Sequence, residues 1–254
     1  MHSTTAVRRF PVPLAGLGIL LLAWTGLAAI YPSILVPSPL AVLRALGLLA
    51  RQGRLWHELG ITILRLLIAF SAGAGMGIAL GLLAGRSQLL AGLLQPWMSV
   101  AAGVPPIAWL ALALVWFGTG SLVPIAVALL AATPAIFVAT LEGMRAIDRD
   151  LLAMARVFGL RGTVLLREFY LPALTPHLLS GLAVGATLTV RVGVMGEFLA
   201  SDTGVGSAMA LARSQLDTAQ VVAWLLVALS LLLGAEGLLL RPLARRAAAW
   251  RLEV

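Results

Sequence analysis

The sequence predicts an all-α membrane protein with about six transmembrane helices, and two observations support this fold class. First, the chain has 254 residues, of which 61% are hydrophobic and only 11% charged. Soluble domains usually carry about 25% charged and about 45–50% apolar residues. Second, several stretches are long enough to cross a bilayer, which takes about 20 mostly apolar residues. A water-soluble fold of this size cannot bury so much apolar surface, so we expect lipid to cover it.

The predicted spans belong to one domain over residues 1–254. They lie at about 13–30, 66–85, 89–117, 122–141, 178–199 and 221–240. The first stretch resembles a signal peptide in its basic start, but its apolar run is long and its exit is a poor cleavage site, so we interpret it as a span. The third is longer than one span needs. The fifth contains Arg191 and Glu197, and the sixth has Glu236 near its end.

The connections between spans predict the orientation of the chain. Pro37 and Pro39 break any helix after the first span, and a helix can restart at Ala41–Leu49 along the membrane surface. Residues 142–176 form the longest and most charged connection. If the N-terminus is cytoplasmic, twelve of the eighteen arginines lie in cytoplasmic segments and four in outside segments. The excess of inside arginine predicts that both termini are cytoplasmic.

The second predicted span carries glycines at a spacing of four residues, at positions 73, 77, 81 and 85, together with Gly75. Small residues at this spacing let two helix backbones approach closely, which drives helix association in lipid. We interpret the repeat as a packing surface and assign it no further role.

Composition excludes several kinds of chemistry. The chain has no cysteine and only three histidines, none at a metal-ligand spacing, so thiolate catalysis, disulfides and a His-rich metal site are not expected. Every basic residue is arginine, and a standard P-loop requires lysine. We therefore expect this chain to bind no cofactor, and any ATP hydrolysis must come from a partner. In so apolar a chain, the net charge of +8 indicates arginines flanking spans, not nucleic-acid binding.

The segment Asp148–Pro176 cannot be a span, because charged residues recur every few positions, yet its apolar spacing is helical. The pattern predicts one short helix that stops at Gly159 and a second, over Arg161–Tyr170, that ends at Leu171-Pro172. Two such helices suit docking into a groove on a partner protein. A surface helix lying in the lipid headgroups fits the same pattern, and physics alone does not separate the two.

This segment resembles the cytoplasmic signature of binding-protein-dependent ABC importer permeases, a Glu-Ala-Ala triplet, then Gly, then Leu-Pro at fixed spacings. Here Met154-Ala155-Arg156 stands for the triplet without its Glu, followed by Gly159 and Leu171-Pro172. Further stretches are similar to the subfamily that serves nitrate, aliphatic sulfonates and taurine. They are Leu35–Pro39, Pro105–Trp109, Leu114–Gly120, Arg191–Glu197 and Gly204–Gly206.

The resemblance implies the type I ABC importer permease architecture, in the bacterial cytoplasmic (inner) membrane. It implies a homodimer of permeases, two ATPase subunits that hold ATP and Mg²⁺, and a separate solute-binding protein. The solute would be small and anionic, such as a sulfonate, nitrate or taurine, with a thiamine-precursor-like solute as the alternative. The signature loop would contact the ATPase through Leu152, Ala155, Arg156, Gly159 and Leu160.

Five residues are candidates for the translocation pathway: Pro105, Pro106, Trp109, Arg191 and Glu197. Consecutive prolines break a helix, which lipid tolerates only where the break faces protein or a water-filled cavity, although a simple packing kink is equally consistent. A charge within a span costs about 2.5–3.5 kcal/mol and defaults to function. Arg191 is suited to attract an anionic solute, unless it pairs with a neighbouring helix or reaches the interface. Glu197 lies six residues further on, about 240° around the helix, near where a binding protein would dock.

Two other classes compete with this interpretation. A membrane-embedded enzyme needs clustered acids, histidines or metal ligands, and the acids here are scattered. An ion-driven secondary transporter often shows duplicated halves, and we find none. Copurification of an ATPase subunit distinguishes the importer from both.

Overall fold

The structure is a computed structural model, and it describes residues 12–148, 150, 153–154, 157–158 and 163–240. Every regular element within these residues is helical. The helices are α1 (Val12–Ile30), α2 (Pro39–Arg51), α3 (Arg54–Arg86), α4 (Gln88–Gly103), α5 (Pro106–Phe117), α6 (Leu122–Arg145), α7 (Leu171–Ala200), α8 (Val205–Ser214) and α9 (Thr218–Gly234). Short helical turns at Thr163–Leu165 and Leu166–Tyr170 precede α7, and Ala235–Leu240 extends α9 as a π-helical turn.

The all-α membrane fold predicted from the sequence is confirmed. Four helices in the described part of the chain are long and apolar enough to cross a membrane, namely α3, α6, α7 and α9 with its extension to Gly237. α4 and α5 pass the same test together, as a pair bent by 96°, and α1 is a shorter apolar helix. The exact number of six spans stays a prediction.

The centre of the molecule is the packing of α6 against α3 on one side and α7 on the other. The glycine repeat of α3 faces α6: a Cβ added at Gly77 or Gly81 would stand 2.9 Å from a backbone carbonyl oxygen of α6. A Cβ added at Gly181 or Gly185 of α7 would stand 2.5 Å from the Ala139 side chain or 2.7 Å from the Ile136 side chain. Because lipid gives no hydrophobic drive for helix association, close backbone approach at small residues holds these helices together. The predicted role of the α3 repeat in packing is confirmed.

A second cluster of buried residues joins α2, α3, α8 and α9. Its buried members include Val42, Leu49, Leu55, Val205 and Trp224. The α2 helix begins at Pro39, two residues before the predicted restart, because proline fits the first helical turn and the Ser38 hydroxyl accepts from the Ala41 N–H as a cap.

Two features of the chain differ from the sequence prediction. The helix expected to end at Leu171-Pro172 instead passes directly into α7, through the π-helical turn Leu166–Tyr170. Proline lacks the N–H that would bond to the carbonyl four residues earlier, and a widened turn accommodates that missing bond. The connection between the predicted spans 178–199 and 221–240 also contains a helix, α8, which the sequence pattern did not predict.

Candidate translocation site

The predicted third span is broken near its middle. α4 ends at Gly103, Val104 and Pro105 are extended, and α5 begins at Pro106. The two prolines offer no N–H for a continuous helical ladder, so the chain turns by 96°. The Ala108 N–H bonds to the Pro105 carbonyl at 2.9 Å and starts the new helix.

A cavity of about 390 Å³ lies at this bend, between α4, α5, α6 and α7. Most of its wall is apolar, from residues such as Val104, Pro134 and Leu188. Ser99 and Trp109 are the lining residues whose side chains carry a polar group. The indole N–H of Trp109 donates to the Ala101 carbonyl at 3.3 Å, which ties α5 back to the end of α4. We call this space the bend cavity.

Arg191 lies on the face of α7 that runs past the bend cavity. Leu188, three residues earlier, lines the cavity. Met195, four residues later, packs with Trp109 against a cluster between α5, α6 and α7. Residues three and four apart share one helix face, so Arg191 stands between these two. Its side chain is exposed on the single chain and makes no hydrogen bond or ion pair with the described residues.

Glu197 points to another side of α7, into a buried polar cluster. Its carboxylate accepts from Arg65 Nη1 at 2.9 Å, from the Thr62 hydroxyl at 2.8 Å and from the Gly206 N–H at 3.1 Å. Arg65 is 6% exposed and Glu197 is 1% exposed. Charges so far from water are stable only when paired and hydrogen-bonded, and both conditions are met here.

The same arginine reaches two further segments. Arg65 Nη2 donates to the Ser121 hydroxyl at 2.8 Å and to the Thr203 hydroxyl at 2.7 Å, and Nη1 donates to the Thr203 carbonyl at 2.6 Å. The group therefore connects α3, the turn before α6, α7 and the turn before α8. We call Thr62, Arg65, Ser121, Glu197 and Thr203 the Arg65–Glu197 clamp.

Glycine is required where the turn before α8 meets the clamp. Gly204 has φ +104°, and an added Cβ there would collide with the Glu197 carboxylate. An added Cβ at Gly206 would collide with the Val194 carbonyl. The N–H groups of Gly204 and Val205 donate to Glu58 at 2.6 Å and to the Thr62 hydroxyl at 2.8 Å.

The predicted pathway residues thus fall into two groups. Pro106 and Trp109 line the bend cavity, Pro105 lies in the bend, and Arg191 stands on the adjoining face of α7. Glu197 is enclosed in the clamp, so a solute reaches it only if those bonds open, and its predicted pathway role stays a prediction. The predicted ATPase contacts Leu152, Ala155, Arg156, Gly159 and Leu160 lie outside the described residues.

Sequence reasoning missed Arg65 and the hydroxyl groups around it. A signal was available: Arg65 and Glu197 are opposite charges next to or within different apolar stretches. Because unpaired charges are costly in lipid, such a pair is a candidate contact. The described residues hold no group of three or more acids and histidines placed to bind a metal ion.

A family model described as "Binding-protein-dependent transport system inner membrane component" matches residues 77–244. The chain belongs to this family. The match includes the bend, α6, α7, α8 and all five predicted pathway residues, whereas Thr62 and Arg65 of the clamp precede it. As a family member, this permease is a multi-pass membrane protein and a non-catalytic transport subunit, and its partners are an ATPase and a solute-binding protein.

Several relatives share most of the length of this permease. The taurine transport system permease protein of Escherichia coli K12 is 29% identical over 258 residues, covering 97% of this chain and 92% of the relative. A putative aliphatic sulfonates transport permease protein of the same organism is 34% identical over 188 residues, covering 74% and 72%. The riboflavin transport system permease protein of Chloroflexus aurantiacus is 30% identical over 219 residues, covering 84% and 82%.

Proposed function

We propose that this permease imports a small sulfonate-type anion, and that two copies form one pathway. The substrate class is supported by the similarity to permeases named for taurine and aliphatic sulfonates. It is also supported by the exposed guanidinium of Arg191, since arginine pairs well with planar or tetrahedral oxyanions. Both termini are proposed to be cytoplasmic.

The bend cavity is the observation that carries this proposal. Non-helical backbone within a bilayer is tolerated where it is buried in protein or lines a water-filled space. Here the break between α4 and α5 faces a cavity of about 390 Å³ within the helix bundle. Discontinuous helices of this kind form substrate sites in other transporters. Pro105, Pro106 and Trp109 are therefore our candidates for the pathway wall.

Energy reaches this pathway, in our proposal, through the loop 142–176. Ala155 and Gly159 lie at the ATPase contact, with Leu152, Arg156 and Leu160 around them. ATP and Mg²⁺ are held by the ATPase, since the chain has no lysine for a P-loop.

A second substrate class has its own support. The riboflavin transport permease resembles this chain as closely as the taurine permease does, at 30% against 29% identity. A heterocyclic solute, such as a thiamine precursor, is therefore the alternative. Such a solute fits the apolar wall of the bend cavity. This alternative gives Arg191 no function in transport.

Purification of the intact transporter tests the proposal. The tagged permease is expressed with its neighbouring genes, extracted in mild detergent and analysed for bound subunits. We expect an ATPase subunit to copurify, and two permease copies per complex by mass measurement. The purified binding protein should bind taurine or methanesulfonate in calorimetry. A binding protein that binds only a heterocycle favours the alternative, and absence of any ATPase contradicts the importer.

A further inference from the structure

We propose that Arg191 forms an oxyanion-binding site with the Ser99 hydroxyl and the Trp109 ring at the bend cavity. This inference rests on the proposed import of a sulfonate and names the residues that select it. Ser99 and Trp109 line the cavity, and Arg191 lies on the adjoining face of α7 between Leu188 and Met195. The three side chains come from α4, α5 and α7.

Arg191 lies within α7, a helix that is long and apolar enough to cross a membrane. It precedes the end of α7 at Ala200 by nine residues, which is about 14 Å along a helix at about 1.5 Å per residue. Intramembrane charges are rare and almost always face the bundle interior or a water-filled cavity. An exposed arginine next to the bend cavity satisfies this condition only if the adjoining space is wet or is closed by a second permease.

No acid of the described chain neutralises Arg191. Glu197, on the same helix, is already bonded to Arg65. Glu236 follows the last turn of α9, at the opposite end of the bundle from Ala200, because α7 and α9 are consecutive spans joined through α8. The Ser99 hydroxyl also makes no hydrogen bond with the described residues. The bend cavity therefore has an unused hydroxyl donor in its wall, and an unpaired cation lies on the adjoining face of α7.

These groups match a sulfonate better than a neutral solute. The guanidinium offers five N–H donors in a planar fork that can hold two oxygens of one anion. The serine hydroxyl supplies a third donor. The apolar wall, including Val104, Leu188 and the Trp109 ring, accepts the short carbon chain.

The test uses the reconstituted transporter, with its ATPase and its binding protein, and measures uptake of radiolabelled taurine and methanesulfonate. We expect Arg191→Gln to lower uptake at least about tenfold, the range for loss of a charge-assisted hydrogen bond. Arg191→Lys should retain much of the uptake. Copurification of the ATPase and the thermal unfolding midpoint in detergent should stay near the wild-type values in both variants, which a structural defect would not allow. Arg44→Gln, the same change at an exposed arginine of α2, is the matched control.

Because the chain has no cysteine, a single introduced cysteine permits a sharper version of this uptake test. In Arg191→Cys, modification by aminoethyl methanethiosulfonate restores a positive charge and should raise uptake. Modification by sulfonatoethyl methanethiosulfonate adds a negative charge and should not. The wild-type permease, which has no cysteine, is treated with each reagent in the same way and controls for reaction at the partner subunits. Uptake at the wild-type rate by Arg191→Gln, or equal effects of the two reagents, contradicts the proposed oxyanion-binding site. Neither result contradicts sulfonate import itself. A wild-type transporter that imports neither sulfonate contradicts the proposed substrate class itself.

Discussion

The guanidinium of Arg65 and the carboxylate of Glu197 are 2.9 Å apart and almost fully enclosed. A buried pair of this kind gains little over an apolar pair of the same shape, because both ions lose their hydration. Loss of one partner is strongly destabilising, because the other charge stays buried without a compensating partner. The clamp therefore fixes which segments meet, more than it adds stability.

Replacement of Arg65 by methionine tests this distinction. We expect Arg65→Met to destabilise the permease by about 3–5 kcal/mol, because the Glu197 charge is left unpaired. The double variant Arg65→Met/Glu197→Gln should recover a substantial part of that loss. The measurement is the thermal unfolding midpoint in detergent, followed by tryptophan fluorescence. Strictly additive losses in the double variant would show that the two side chains are not coupled.

The sequence shows which residues of the clamp are charged, but it does not show which charges pair. Arg65 and Glu197 are both visible in the sequence as charges next to or within apolar stretches. Which cation meets which anion depends on helix rotation and on the approach of α3 to α7. The hydroxyls of Ser121 and Thr203 carry no sequence signal at all, because serine and threonine are common in turns.

At the scale of elements, α3 illustrates how spacing becomes structure. Four glycines recur every four residues, and the four-residue period places them on one face. The structure puts that face against α6, with Gly81 beside Phe137 and Thr140. Gly75 belongs to the same helix but has nothing within 4 Å of an added Cβ.

A pair of alanine substitutions separates these two environments. Gly81→Ala should destabilise the permease by about 1–3 kcal/mol, because the added methyl group forces α3 away from the α6 backbone. Gly75→Ala should be neutral or slightly stabilising, because alanine favours the helix. Thermal unfolding of both variants in the same detergent decides the matter. A larger loss at Gly75 than at Gly81 would contradict the observed packing.

The bend between α4 and α5 was partly predictable. Pro105-Pro106 indicates a break, and the predicted stretch 89–117 is too long for one straight span. The angle of 96° and the cavity at the break depend on α6 and α7, whose surfaces determine where α5 packs. The continuous path into α7 through Pro172 was not predictable, because a widened turn leaves no compositional mark.

For the molecule as a whole, orientation in the membrane follows from the distribution of arginine and is open to direct test. In intact cells, Gln52→Cys and Ser214→Cys should react with a membrane-impermeant maleimide. Gln88→Cys, just beyond α3, should react only after the membrane is permeabilised. All three positions are exposed and the parent chain has no cysteine, so labelling is unambiguous. The reverse pattern would invert the predicted topology.

Coupling to ATP hydrolysis also belongs to the whole transporter. We expect Gly159→Trp to insert normally but to abolish most uptake while ATP hydrolysis continues, because a bulky side chain prevents close approach of the loop to the ATPase. Uptake and ATP hydrolysis are measured on the same reconstituted sample. Normal uptake by this variant contradicts docking through this loop.

The sequence alone determined that this protein lies in a lipid bilayer, that its fold is all-α and that a partner must supply the energy for transport. These follow from composition and from local spacing, which need no knowledge of distant contacts. Only the tertiary structure decided that Glu197 closes a clamp with Arg65 while Arg191, six residues earlier, lies on the α7 face that adjoins the bend cavity. That assignment depends on which helix packs against each side of α7, and packing is a property of the assembled chain.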